Sequence, residues 1–180
     1  MRNPTRIHEL LGRLMQYPDE GYVHRVRETL AGLERDTPQA AARLRAFHDR
    51  IADFATEELE ELFTRTFDLN PVCALEVGWQ LYGEEYTRGA FLVFVRGALR
   101  RHEIAETAEL PDHLVHVLPL LDRLPEDEAS ELARGAVLPA LKKMLQGLNG
   151  KNSPYEDLLL AVREQLERWF QPEPVEASHA

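Results

Sequence analysis

Apolar residues recur along this chain at steps of three and four, and almost nowhere at steps of two. That spacing puts them on one side of a helix, so the pattern predicts helices throughout. Ile7, Leu10, Leu11 and Leu14 form a first stripe, closed by Tyr17-Pro18-Asp19 because proline resists helix continuation. Val23, Val26, Leu30 and Leu33 form a second. Thr37-Pro38 reads as a cap followed by proline in the first helical position, and Ala40, Leu44, Phe47, Ile51 and Phe54 then mark one amphipathic face. Thr56 is placed to cap the next helix, with Leu59, Leu62 and Phe63 on one face.

A polar break at Asp68-Leu69-Asn70-Pro71 comes next, and Val72 to Tyr82 then reads as one helix, apolar on most sides, ended by the turn Gly83-Glu84-Glu85. Gly89 to Val95 is almost unbroken apolar sequence between Arg88 and Arg96. It predicts a helix buried on most sides at the centre of the bundle. A buried strand is rejected because the chain offers no partner strand and the helical pattern continues to Arg101. Glu103 to Glu109 breaks the composition and is a candidate hinge. Leu110-Pro111-Asp112 opens a helix with Leu114, Val117, Leu118 and Leu121 inward, kinked or cut short by Pro119. Pro125-Glu126-Asp127 opens another, with Leu132, Ala136, Val137, Leu141, Met144, Leu145 and Leu148 inward and a kink at Pro139. Asn149-Gly150 stops it, and Ser153-Pro154 opens the last helix, carrying Leu158, Leu159, Val162, Leu166 and Trp169. The expectation is an all-α fold, a single globular bundle of about eight or nine helices. It covers residues 1–170, and 171–180 read as a disordered tail.

Charge narrows the functions. With 31 acidic against 21 basic side chains, the formal net charge is −10. A nucleic-acid binder draws its affinity from Lys and Arg on phosphates, so nucleic acid is disfavoured as partner. An acidic surface steers basic partners, such as an Arg-bearing peptide, although the charge also serves solubility. Cys73 is the only cysteine, which rules out an internal disulfide and any Cys-based metal cluster. The first stretch, 1–14, mixes charges among its apolar residues and does not read as a signal peptide. No stretch approaches the roughly 18 apolar residues of a membrane span. These features together point to a cytoplasmic protein with no direct membrane insertion.

Catalytic spacing is absent: no Gly-rich phosphate loop, no His-Glu-x-x-His, no nucleophile elbow. Cys73 sits in an apolar run without a neighbouring base and reads as a buried, inert thiol. Glu109, Asp112, His113 and His116 are the best metal candidates, with the histidines three apart on one helix face. A second matching motif, as carboxylate-bridged bundles require, is missing. The alternative is that Asp112 starts a helix and the histidines are ordinary hydrogen-bonded groups. Glu57, Glu58, Glu60 and Glu61 offer a carboxylate pair, or simply a solvated helix start. Trp79 and Tyr82 stand three apart beside Glu84 and Glu85, a combination suited to an apolar peptide with basic residues, or to core packing with charges outside it.

Four segments carry a resemblance. Leu62-Phe63-Thr64-Arg65-Thr66-Phe67-Asp68-Leu69, Tyr82-Gly83-Glu84-Glu85-Tyr86-Thr87-Arg88-Gly89-Ala90, Glu109-Leu110-Pro111-Asp112-His113-Leu114 and Ser153-Pro154-Tyr155 follow one another in this order. Leu10-Leu11 and Tyr17-Pro18 precede them. The series resembles the molybdoenzyme assembly chaperones of the nitrate reductase delta-subunit type, over about residues 7–170. The resemblance implies a cytoplasmic all-helical chaperone that is not an enzyme and carries no cofactor of its own. It would bind the apo catalytic subunit of a molybdopterin oxidoreductase by its N-terminal leader. It would hold that subunit until the molybdopterin guanine dinucleotide cofactor is inserted. Phe67, Asp68, Trp79, Tyr82, Glu84, Arg88, Asp112 and His113 are the residues it assigns to client binding; each also has a structural reading as core, cap or ion pair. The family's Leu-Tyr-Leu-Thr-like segment is replaced here by Ala74-Leu75-Glu76-Val77-Gly78, and its Gly-Asp by Gly83-Glu84-Glu85. The client is therefore nitrate reductase or a related enzyme. Both a monomer and a homodimer are compatible, and a helical adaptor with an unrelated partner is the competing function.

Overall fold

The structure, a computed structural model, describes residues 6–170. The expectation for 171–180 lies outside them. The helices are α1 (Ile7–Arg13), α2 (Tyr22–Asp36), α3 (Pro38–Ile51), α4 (Thr56–Phe63), α5 (Val77–Tyr82), α6 (Tyr86–Arg101), α7 (Leu114–Leu121), α8 (Glu126–Leu132), α9 (Leu138–Leu148) and α10 (Pro154–Trp169). A π turn, Ala133–Val137, joins α8 to α9 as one rod just before Pro139, where a kink was expected. A second π turn, Thr64–Asp68, extends α4. No strand occurs among the described residues, so the fold is the all-α bundle that the periodicity predicts.

The body forms around α3, with α2 on one side and α10 on the other. Leu44, Phe47 and Ile51 of α3 and Tyr155, Leu158, Val162 and Leu166 of α10 are all completely buried. The Phe47 and Tyr155 rings lie 5.2 Å apart. Burying a side chain of this size stabilises by about 1.5–3 kcal/mol, so this seam anchors the fold. Helix α1 packs against α7, and a buried polar contact with Asp122, at the end of α7, fastens the pair. His8 Nδ1 stands 2.7 Å from Asp122 Oδ1, and the Glu9 backbone N–H donates to Asp122 Oδ2 at 2.8 Å. Both side chains are buried.

Several helix starts differ from the sequence reading. Ala55, not Thr56, precedes α4, where the Glu58 carboxylate accepts the Ala55 N–H at 2.8 Å. The helix expected from Leu110-Pro111-Asp112 begins at Leu114, with His113 as the cap: its Nδ1 accepts the Val115 N–H at 3.1 Å. Asp112 is turned inward instead. The run Val72 to Tyr82 is not one helix. A short 3₁₀ turn, Pro71–Cys73, precedes an extended stretch, and only Val77–Tyr82 is α-helical. Backbone pairing with a distant segment wins there over local propensity: Val77 N–H donates to Asp112 O, Leu114 N–H donates to Leu75 O, and Glu76 and His113 form an isolated antiparallel bridge. Phe54 and Trp169, expected inward, are partly exposed.

The largest correction concerns α6. It is not the buried centre of the bundle. Tyr86 is 97% exposed, Val93 74% and Phe94 54%, and only Val95, Ala98 and Leu99 are fully inside. Apolar residues all round a helix mark burial only when other elements surround it, and here the main contacts among the described residues, with α5 and α7, leave Tyr86, Val93 and Phe94 outside.

Candidate functional site

The four motif segments come together in two places. Phe63 and Phe67 pack edge-on against Tyr155, with ring centroids 5.8 and 4.8 Å away, so the first segment sits on the last. The loop before Tyr155 is held by Arg50, which donates to Asn152 O at 2.6 Å and to Ser153 O at 3.3 Å. The second and third segments meet at Asp112. The Gly78 N–H donates to Asp112 Oδ2 at 2.9 Å, and Arg88 Nε stands 3.7 Å from the same oxygen. Gly78 leaves room for this contact, since a Cβ there would fall 2.6 Å from Asp112 Oδ2 and 2.9 Å from the Phe91 ring. Gly83, which ends α5, has φ +56°, a left-handed conformation that glycine adopts without steric cost.

Between the two clusters lies a cleft of about 380 Å³. Phe67, Asp68, Trp79, Arg88 and His113 line it, five of the eight residues that the sequence singled out. Phe67 and Asp68 belong to the π turn, an element whose extra residue re-aims side chains and recurs at functional sites. Asp112 is fully buried and holds Arg88 and α5 in place from beneath. Tyr82 lies on a neighbouring, larger depression of about 710 Å³, together with Val72, Glu85 and Lys143. Trp79 and Pro71 border both hollows, and the Trp79 indole N–H donates to Pro71 O at 2.9 Å. Arg88 stacks over the Trp79 ring at 5.5 Å. Glu84 is exposed and lines neither.

Glu76 and Glu109 also line the cleft and were not singled out as client contacts by sequence reasoning. Glu76 had a signal, as the one carboxylate in the apolar run 72–82. The cleft strains its acids. Burial pushes the Glu76 carboxyl up, and the Asp112 charge adds to it. Burial raises Asp68 and Asp112 as well, with Arg88 partly offsetting the effect at Asp112. His113 is held down to about 3, by burial first and by His116 second, so it is neutral near pH 7. An incoming cation would relieve these carboxylates.

The metal candidates do not form a metal site. Among the described residues no group of three or more His, Cys, Asp or Glu is placed to hold an ion. His116 uses both ring nitrogens within the loop: Nε2 accepts the Thr107 N–H at 2.9 Å and Nδ1 lies 2.9 Å from Leu110 O. Those bonds tie down the 103–109 connection read as a hinge, and Arg96 adds an ion pair to Glu106 at 3.0 Å. Cys73 is buried, with its thiol pushed up by burial, as expected of an inert cysteine. Glu57, Glu58, Glu60 and Glu61 start α4 and line neither hollow.

Residues 31–171 match the family model described as nitrate reductase delta subunit. The chain belongs to that family. It is similar to the nitrate reductase molybdenum cofactor assembly chaperone NarJ of Escherichia coli (strain K12), 26% identical over 159 residues, covering 85% of this chain and 67% of that one. The NarJ of Escherichia coli O157:H7 matches equally. A probable assembly chaperone, NarW of Escherichia coli (strain K12), is 27% identical over 158 residues, covering 87% of this chain and 66% of its own length. The family is one of assembly chaperones and not of catalysts. Every residue lining the cleft falls within the matched stretch.

Proposed function

We propose that this protein is a cytoplasmic molybdenum cofactor assembly chaperone for nitrate reductase or a related molybdopterin oxidoreductase. It holds the apo catalytic subunit by its N-terminal leader while the cofactor is inserted. The leader binds in the cleft beside Trp79, with Phe67, Asp68, Arg88 and His113 in its walls and Tyr82 at the adjoining depression. Asp112 acts from below by fixing Arg88. Glu84, outside both hollows, contributes long-range attraction only.

The observation that carries this reading is a concave surface that combines an aromatic anchor with more acid than base. Asp68, Glu76 and Glu109 face it against the single cation Arg88. An extended peptide with apolar and basic residues satisfies both features: the aromatic supplies contact area and the carboxylates take the guanidinium groups. Among the described residues no helix is long and apolar enough to cross a membrane. Attachment through a client's leader needs none.

The test is capture from native extract with mass spectrometry of what is retained. The proposal requires a molybdopterin oxidoreductase catalytic subunit, lost when that subunit's N-terminal segment is deleted. Capture that survives the deletion removes the leader from the mechanism. Capture of unrelated proteins alone leaves a helical adaptor with a different partner.

A further inference from the structure

The cleft does not use the outer face of α6. Tyr86, Ala90, Val93, Phe94 and Gly97 follow one another at helical spacing on the side turned from the bundle, and all but the half-buried Gly97 are exposed. A contiguous apolar helix face left in water marks an interaction surface. Gly89 adds to it. A Cβ there would meet nothing within 4 Å among the described residues, so the backbone of α6 is open to a close approach at that point.

The charges at the two ends of α6 indicate what approaches. Glu84 and Glu85 precede the helix, and Arg100 and Arg101 end it. All four are exposed, and none forms an ion pair among the described residues. The face is therefore acidic at one end, apolar in the middle and basic at the other. Such a face is complementary to itself when two copies lie antiparallel, as a two-fold axis requires. With Val93 of one copy beside Phe94 of the other, Ala90 falls opposite Gly97 and Tyr86 opposite Arg101. Glu84 and Glu85 then lie at the end that carries the other copy's arginines, and the helix dipoles oppose. A basic client leader would match only the acidic end and would be repelled by the other.

We infer that this chain forms a two-fold dimer through antiparallel α6 helices. The helix has 16 residues, about 24 Å of contact length. A single helix pair lies at the small end of specific interfaces, so the dimer is reversible and concentration-dependent.

The test is sedimentation equilibrium of the full chain over a wide concentration range. Its mass should rise from 20.6 kDa toward twice that value. Val93→Glu, at an exposed position, should keep the thermal melt and weaken association at least tenfold. Reversing Glu84 and Glu85 to Lys, or Arg100 and Arg101 to Glu, should each weaken it, and the combination should restore it. That restoration is specific to opposed ends. A wild-type chain at single-copy mass throughout overturns the inference, as does a dimer that Val93→Glu leaves intact. Loss of client capture by Val93→Glu in a chain that never dimerises would assign the face to the client.

Discussion

The seam between α3 and α10 and the segment 64–113 treat similar residues in opposite ways. In the seam, Phe47, Tyr155 and Leu158 are completely buried. In 64–113, Leu69, Val72, Tyr86, Val93, Phe94 and Leu110 stay exposed. Charges differ in the same sense. Arg50 of α3 pairs with Asp157 of α10 at 3.3 Å, whereas burial raises Asp68 and Glu76 in a cleft where Arg88 is the one cation among the described lining residues. The seam buries most of its apolar surface and pairs charge across it. The segment 64–113 leaves much more apolar surface in water, a feature typical of interaction surfaces.

Substitutions should separate the two parts. Phe47→Ala should cost about 3–5 kcal/mol of stability, as other large core truncations do, read by denaturant titration. Trp79→Ala should cost much less stability but about 2 kcal/mol or more of client-peptide binding, the scale of a buried aromatic anchor, read by calorimetry. An equal stability loss in both variants would erase the distinction.

A pH experiment sharpens it. His113 titrates near 3 in the folded chain against an ordinary value near 6.5. Between those values the unfolded chain binds a proton that the folded one does not. Stability is therefore complete above about pH 6.5 and is lost as pH falls toward 3. Asp112 and Glu76 are raised, so their contribution runs the other way, present at low pH and lost as pH rises through their folded values. His113→Asn keeps an acceptor for the Val115 N–H and removes the titration. It should flatten the loss of stability on acidification, read from melts across that range. The smallest effect is expected at Gly89→Ala: a gain of about 0.5–1 kcal/mol in the melt, with weaker self-association because the new methyl holds the helices apart.

The body was legible in the sequence because periodicity and burial coincide there. Leu44, Phe47 and Ile51 read as an inward stripe and are one, and Pro38 and Pro154 mark true helix starts. The segment 64–113 is less legible, for physical reasons. The pattern around Gly89 to Val95 records apolar residues on every side of a helix, and the same pattern arises whether the outer side meets the core or a partner. The run from Val72 failed as one helix because residues 74–78 bond to 110–114, a pairing that no local signal announces. Arg88 and His113, which line the cleft, lie in the motif segments, and Trp79 stands out by its spacing to Tyr82 beside two carboxylates, while Glu109 needs the fold to bring the 103–113 loop over α5. Asp112, also in a motif segment, is buried beneath the cleft and not part of its wall.

On the reading proposed above, the cleft beside Trp79 receives a basic, apolar leader. The most direct test is calorimetric titration of the wild-type chain with a synthetic leader peptide from a molybdopterin oxidoreductase catalytic subunit. The titration is repeated over a range of salt and with Asp68, Glu76 and Glu109 changed to their amides. Binding should weaken with salt in the wild type, with lower affinity and a flatter salt dependence in the amide variant. Binding with the same affinity and salt slope in both proteins would contradict that reading.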